Sequence, residues 1–176
     1  MAKGTPLIDL RRVVVDTGPL FNVLALIFVR NSPTHRYPGF EKIFGAATYL
    51  YDPVKERKLL ELFENIQKIL TTSHVIVEIA WLRKRRSSLP SREFWEYARD
   101  YLARKKLDER LLTLNEICGS DEGLKIVSEI GPTDAGLIEL ARREKCDLLT
   151  DDESTLVQRA RAMGLVNQCW LVRDLL

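Results

Sequence analysis

The chain is poor in the residues that build disulfide scaffolds and soft-metal centres. It has three cysteines, Cys118, Cys146 and Cys169, and two histidines, His35 and His74, in 176 residues. The cysteines are odd in number, widely spaced and outside any C-x-x-C pattern. That argues against a disulfide framework and for a reducing cytoplasm. Two histidines without paired cysteines leave little basis for a histidine-rich zinc centre. Long apolar runs are missing as well. The longest, Leu20 to Val29, is interrupted by Asn22 and is far too short to span a bilayer, so no membrane partner is expected. No basic leader followed by an apolar core opens the sequence, so no signal peptide is expected. Neither sign of charge dominates: a net +2 permits a nucleic-acid partner without requiring one.

What is present is the composition of a soluble globular protein, 45% hydrophobic and 30% charged. The length suits one domain over residues 1–176 with a real core. No internal repeat, low-complexity tract or interdomain linker divides it.

Short apolar stretches alternate with helical patterns. "VVV" at 13–15 suits a central parallel strand. Gly18-Pro19 break it, and "LFNVLALIFVR" continues as a mostly buried helix. "NSPTHRYPGF" is a loop. "VKERKLLELFENIQKIL" has apolar residues at 59, 60, 62, 63, 66, 69 and 70, which predicts one helix with a broad buried face. "TTSHVIVEIAWLRKRR" starts with strand-end or capping residues and runs into a helix, and "REFWEYARDYLARKK" predicts another. "RLLTL" predicts a short strand. After Gly131-Pro132-Thr133, "DAGLIELARREK" predicts a helix, "CDLLTDD" a buried strand ending in acids, "STLVQRARAMG" a helix and "QCWLV" a last strand. This alternation predicts an α/β domain with a mainly parallel sheet.

In such a sheet the functional crevice lies outside the carboxyl ends of the strands. Asp16 follows "VVV", and Asp151-Asp152 follow "DLLT". Asp134 opens a helix, where the backbone NH groups favour negative charge. Glu78 lies about a turn into the helix after "TTS", among apolar neighbours. Two such charges about 4 Å apart repel by roughly 4 kcal/mol at an effective dielectric near 20. Bound Mg²⁺ or Mn²⁺ would reverse that sign through hard oxygen ligands and would activate a water for attack on a phosphodiester. Taken singly, each acid also has an ordinary role. Asp16 reads as a turn or cap residue, Asp134 as a helix-start charge, Glu78 as a solvent-facing helix residue. One of Asp151 and Asp152 reads as solvated or capping.

Asp-Thr-Gly at 16–18 also occurs in aspartic proteases. Those need a second carboxylate sharing a proton and an all-β chain. Here the tripeptide runs into Pro19 and a helical stretch, which excludes that chemistry.

Taken together, "VVVDTGPL", "SHVIVEIAWL", "GPTDAGLIELA" and "CDLLTDDESTL" resemble, in family order, the PIN domain, the metal-dependent nuclease fold shared by VapC-type toxins. The resemblance implies a three-layer α/β/α sandwich around a mainly parallel sheet. It implies a four-carboxylate site of Asp16, Glu78, Asp134 and Asp152 holding Mg²⁺ or Mn²⁺, and endonucleolytic hydrolysis of RNA. Asp151 would be the intervening residue, with Thr150 and Ser154 supporting that end through their hydroxyls. A homodimer, and an antitoxin protein if the chain is the toxin of a pair, are the further partners it implies. One departure is the long stretch between Asp16 and Glu78, centred on "NSPTHRYPGFEKIFGAATYLYD", which leaves toxin-specific details open.

Substrate-facing chemistry is read around 81–110, which holds ten Lys/Arg against five Asp/Glu. Arg83, Lys84, Arg85 and Arg86 directly follow the Glu78 segment and would hold an RNA backbone, or form an ordinary solvated helix face. Arg36 and Tyr37 are further loop candidates for phosphate and base contact. Trp95, Tyr97 and Tyr101 read as helix packing, and Trp81 and Trp170 as core. Two rival functions stay open: a PIN-fold RNA-binding or assembly module with catalytically idle acids, and a structure-specific DNA nuclease.

Overall fold

A computed structural model describes residues 8–31, 43–45, 47–85, 89–153, 155–165 and 168–176. Strand β1 (Val13–Val15) leads into α1 (Thr17–Asn31). A 3-10 turn (Thr48–Tyr51) and α2 (Pro53–Asn65) precede β2 (Ile69–Thr72). Helices α3 (Ser73–Arg85) and α4 (Ser91–Arg104) precede β3 (Asp108–Arg110). Then come α5 (Leu114–Ile117), α6 (Asp121–Glu144), β4 (Asp147–Thr150), α7 (Leu156–Ala162), β5 (Cys169–Leu171) and α8 (Val172–Leu175).

The five strands form one parallel sheet in the order β3-β2-β1-β4-β5. The chain thus builds outward from β1 to β3, crosses back, and builds outward again through β4 and β5. Right-handed crossovers put the helices of the first half on one face and those of the second on the other. The contacts agree: α1 packs with α2, α3 and α4, while α6 lies over β2, β1 and β4 and meets α5 and α7. The fold is the expected α/β/α sandwich.

Burial follows strand position. β1, β2 and β4 are covered on both faces and every residue in them is buried. That is why they read as continuous apolar or β-branched runs rather than alternating ones. The α1 layer is anchored by Phe21 and Phe28, whose rings lie 6.2 and 6.1 Å from that of Phe94 on α4. Among the described residues no helix is long and apolar enough to cross a membrane.

Two elements depart from the sequence expectation. The helical pattern over 54–70 stops at Asn65, and Ile69 and Leu70 belong to β2. A four-residue strand buried on both faces carries no period of its own, so it prolonged the helical spacing before it. The short strand expected at "RLLTL" (110–114) lies at Asp108–Arg110, starting two residues earlier and sharing only Arg110 with it. It is an edge strand of three charged residues, held by Lys68 on Asp108 at 2.7 Å and by Arg110 on Asp108 at 2.9 Å. Charge on an exposed edge discourages pairing with another chain, and it also removes the apolar signal.

Helix α6 is interrupted where Gly131-Pro132 predicted a boundary. Gly131 has φ +85° and ψ 167°, a region open almost only to glycine. The break starts a fresh helical segment at Pro132 and so fixes where Thr133 and Asp134 emerge.

Candidate active site

The sheet order reverses at β1 and β4, and a parallel sheet opens a crevice at that switch point, outside the strand carboxyl ends. Asp16 stands there, between the last residue of β1 and the first of α1. Its backbone NH bonds to the Leu149 carbonyl at 3.0 Å, and its carbonyl accepts from Leu20 NH in α1 at 3.1 Å. The side chain is 8% exposed. The Thr150 hydroxyl donates to its Oδ2 at 2.7 Å and the Thr17 backbone NH to its Oδ1 at 2.5 Å. Burial lifts the Asp16 carboxyl to about 7; the Thr150 hydroxyl opposes the rise, and the charges of Asp134 and Asp151 add to it.

Glu78 reaches the same crevice from α3. Thr17 donates to its Oε2 at 2.6 Å and Thr133 to its Oε1 at 2.9 Å. One carboxylate therefore ties the start of α1 to the segment that begins after Gly131. Asp134, the next residue, has its carboxyl raised to about 6, by burial first and then by the charges of Asp152 and Glu78. Nearby negative charge in a low dielectric raises a carboxyl in this way.

Two consecutive acids follow β4 and face different partners. The Asp152 backbone NH donates to the Thr150 hydroxyl at 2.9 Å, and Asp152 Oδ1 accepts from Thr155 NH at 3.2 Å. Asp151 instead accepts from Tyr49 Oη at 2.9 Å and from Asn22 Nδ2 at 3.1 Å, both on Oδ2. Its carboxyl is raised to about 6 by burial, against the Tyr49 and Asn22 hydrogen bonds and the nearby Arg173. Thr150 is the hub of this end, donating to Asp16 and accepting from Asp152. A cavity of about 550 Å³ adjoins it, lined by Gly18, Asn22, Tyr49, Lys55, Asp151 and Arg173.

All four sequence candidates, Asp16, Glu78, Asp134 and Asp152, thus come from separate elements into one electrostatically coupled set. As the side chains stand, no three acids, histidines or cysteines among the described residues are gathered tightly enough to hold an ion. Each of the hydrogen-bonded carboxylates is turned toward a hydroxyl or NH donor. The donor set is nonetheless all carboxylate oxygen, which suits Mg²⁺ or Mn²⁺ and not a thiolate- or imidazole-seeking metal. Mutual repulsion between Asp16, Asp134 and their acidic neighbours is what a divalent cation would relieve.

Of the basic candidates, Arg83 is half-buried and donates from Nη1 to the Leu89 carbonyl at 3.2 Å. Lys84 and Arg85 are exposed. Arg86, Ser154, Arg36, Tyr37 and His35 lie outside the described residues. The aromatic expectations divide. Tyr101 is buried, and Trp95 packs half-buried against the core. Tyr97 is more exposed but sets its ring 5.5 Å from Phe28 and donates to the Asn31 carbonyl. Trp170 is half-buried, its indole NH donating to Asp147 at 2.8 Å. Trp81, expected in the core, is 53% exposed. The apolar pattern of "VIVEIAWL" counted it with the buried face, whereas α3 buries Val75 and Ile79 and turns Val77 and Trp81 outward.

Sequence reasoning passed over Thr17, Thr133, Asn22 and Tyr49. A signal existed for Asn22, the single polar residue inside the longest apolar run. The hydroxyl partners of Glu78 carry no local mark.

A family model described as PIN domain matches residues 43–161. No curated protein and no solved structure gives a significant match. The matched segment includes Glu78, Asp134 and Asp152, and it begins after Asp16.

Proposed function

Because the chain belongs to the PIN domain family, a family of nucleases generally dependent on divalent metal, we propose that it is a Mg²⁺- or Mn²⁺-dependent endoribonuclease. Its site would be Asp16, Glu78, Asp134 and Asp152 in one domain spanning 1–176. The observation that carries this reading is the buried Asp16 carboxyl at the sheet's switch point, raised to about 7 and coupled by like charge to Asp134. A buried carboxyl kept beside other acids is costly for stability alone and is a mark of a functional site.

Asp16, Asp134 and Asp152 would hold the ion, with Glu78 completing the set from α3. A bound divalent cation supplies charge stabilisation at the phosphate and makes water a better nucleophile. The chain's own part is positional. Thr150 orients Asp16, Thr17 and Thr133 orient Glu78, and the Thr155 NH orients Asp152. These bonds fix the resting orientation of Asp16, Glu78 and Asp152, and the carboxylates would turn from these donors toward a bound cation. Lys84 and Arg85 supply positive charge at the end of α3 for the RNA backbone, and Arg86 extends that run in the sequence.

Two finer assignments rest on the sequence resemblance, a toxin with an antitoxin partner and a homodimer, and action in the cytoplasm rests on the three unpaired, widely spaced cysteines. The alternative is a PIN-fold RNA-binding or assembly module with idle acids; it is favoured by the one observation that no three of them are gathered as the side chains stand.

The test is cleavage of a mixed RNA panel by purified protein with Mn²⁺, with EDTA, and by the Asp16→Asn variant with Mn²⁺. Cleavage by the wild type with metal alone is expected. RNA bound but never cut would move the assignment to the idle module, and equal cutting in all three arms would mean a contaminant. A DNA panel run beside it separates the DNA-nuclease reading.

A further inference from the structure

Trp81 has no role in the centre described so far. It lies on α3 three residues beyond Glu78 and four beyond Val77, spacings that put all three on neighbouring parts of one helix surface. Trp81 is 53% exposed and Val77 68%. Thr17, Glu78, Trp81 and Leu82 together line a cavity of about 450 Å³. The indole therefore shares a cavity with a proposed site carboxylate and with the hydroxyl that holds it. Leu82 also lines the larger cavity beside Asp151, so the two hollows flank the acids on a common side chain. One turn further along α3, the Arg85 guanidinium sits 4.5 Å from the Trp81 ring centroid. Lys84 beside it is exposed.

We propose that Trp81 is a stacking platform for a nucleobase of single-stranded RNA, next to the phosphate presented to the acids, with Arg85 bracing the indole. This rests on the RNA-cleavage reading and adds to it a residue that positions the strand. An aromatic face beside cations matches the two parts of a nucleotide, a flat base and an anionic backbone. A protein partner fits the surface less well. It would have to cover the Glu78 carboxylate and the Lys84 cation along with the indole, and interface centres are depleted of Glu and Lys. Stacking is tolerant of base identity, so Trp81 contributes affinity and placement and leaves sequence choice to other residues.

The experiment uses the full-length Asp16→Asn protein in EDTA, so that RNA stays intact. Its binding to a short labelled single-stranded RNA of mixed sequence is compared with binding to a strand of the same length lacking bases. Adding Trp81→Ala should weaken binding to the RNA by about five- to 100-fold, the range of one lost base–aromatic stack. Trp81→Phe should keep most of the affinity, and all three proteins should bind the baseless strand alike. Equal RNA affinity of the Trp81→Ala protein and its parent would overturn the inference while leaving the nuclease reading standing. So would an equal loss on the baseless strand, which would mean a structural or backbone role. A change in oligomeric mass with unchanged RNA affinity would assign the face to a protein contact instead, and overturn it too. If the parent binds neither strand, the RNA reading itself falls, and this inference with it.

Discussion

At the β1–β4 end of the cleft, Asp16 is 8% exposed and both its oxygens accept hydrogen bonds from buried or half-buried neighbours; along α3, Trp81 is 53% exposed beside a run of solvated cations. The first region is made by strand ends and is rigid because the sheet is covered on both faces. The second is the outer surface of a helix whose inner face alone packs. Charge is handled in opposite ways. At the strand ends, like charges are concentrated and shielded from water, which raises their proton affinity. On α3, positive charge is spread where water screens it. The first arrangement suits fixing an ion and the second suits a long, flexible anionic ligand.

The largest expected effect falls at the first region. Asp16→Asn should lower RNA cleavage by about 10³-fold or more, the weight of several kcal/mol of lost charge stabilisation. A loss of less than tenfold would show that the buried acid is not part of the chemistry.

Thr150→Val tests what holds that region together. It removes the donor to Asp16 and the acceptor for the Asp152 NH, and should cost about 1–3 kcal/mol of stability by denaturant titration.

The metal-free protein should also lose stability as pH rises. Asp16 is raised from 3.8 to about 7, and Asp134 and Asp151 from 3.8 to about 6. A raised carboxyl favours the folded state while protonated, so the contribution is complete below about pH 4 and is lost through pH 6 to 7. Thermal melts in EDTA should therefore fall between pH 5 and pH 8. Asp16→Asn should flatten that fall, because it removes the largest of the three shifts. A melt that rises over this range would refute the electrostatic picture of the site.

The smallest effects belong to α3. Lys84→Ala and Arg85→Ala should each change stability by less than about 0.5 kcal/mol. Each should reduce the salt dependence of RNA binding by about one counterion. An unchanged salt slope would leave those cations as a solvated face only.

The site's acids were legible where secondary structure announces itself. "VVV" and "DLLT" are buried runs that end in acids, and the switch-point argument then brings their ends together. Glu78 was legible because an acid sat among apolar neighbours. Trp81 was misjudged for the same reason, since "VIVEIAWL" does not tell which apolar residues α3 turns outward. β3 was displaced because an edge strand of Asp108, Glu109 and Arg110 has no apolar pattern. The Asn22–Tyr49–Asp151 cluster was out of reach. Its members lie far apart in the chain and meet only through the packing of α1, the 3-10 turn and the end of β4.

The most direct test of the central claim is calorimetric titration of the metal-free protein with Mn²⁺ near pH 7.5, for the wild type and for Asp16→Asn. The account predicts saturable binding to the wild type, accompanied by proton release from the raised carboxyls, and no comparable binding to the variant. Equal binding to both, or none to the wild type at millimolar Mn²⁺, would contradict it.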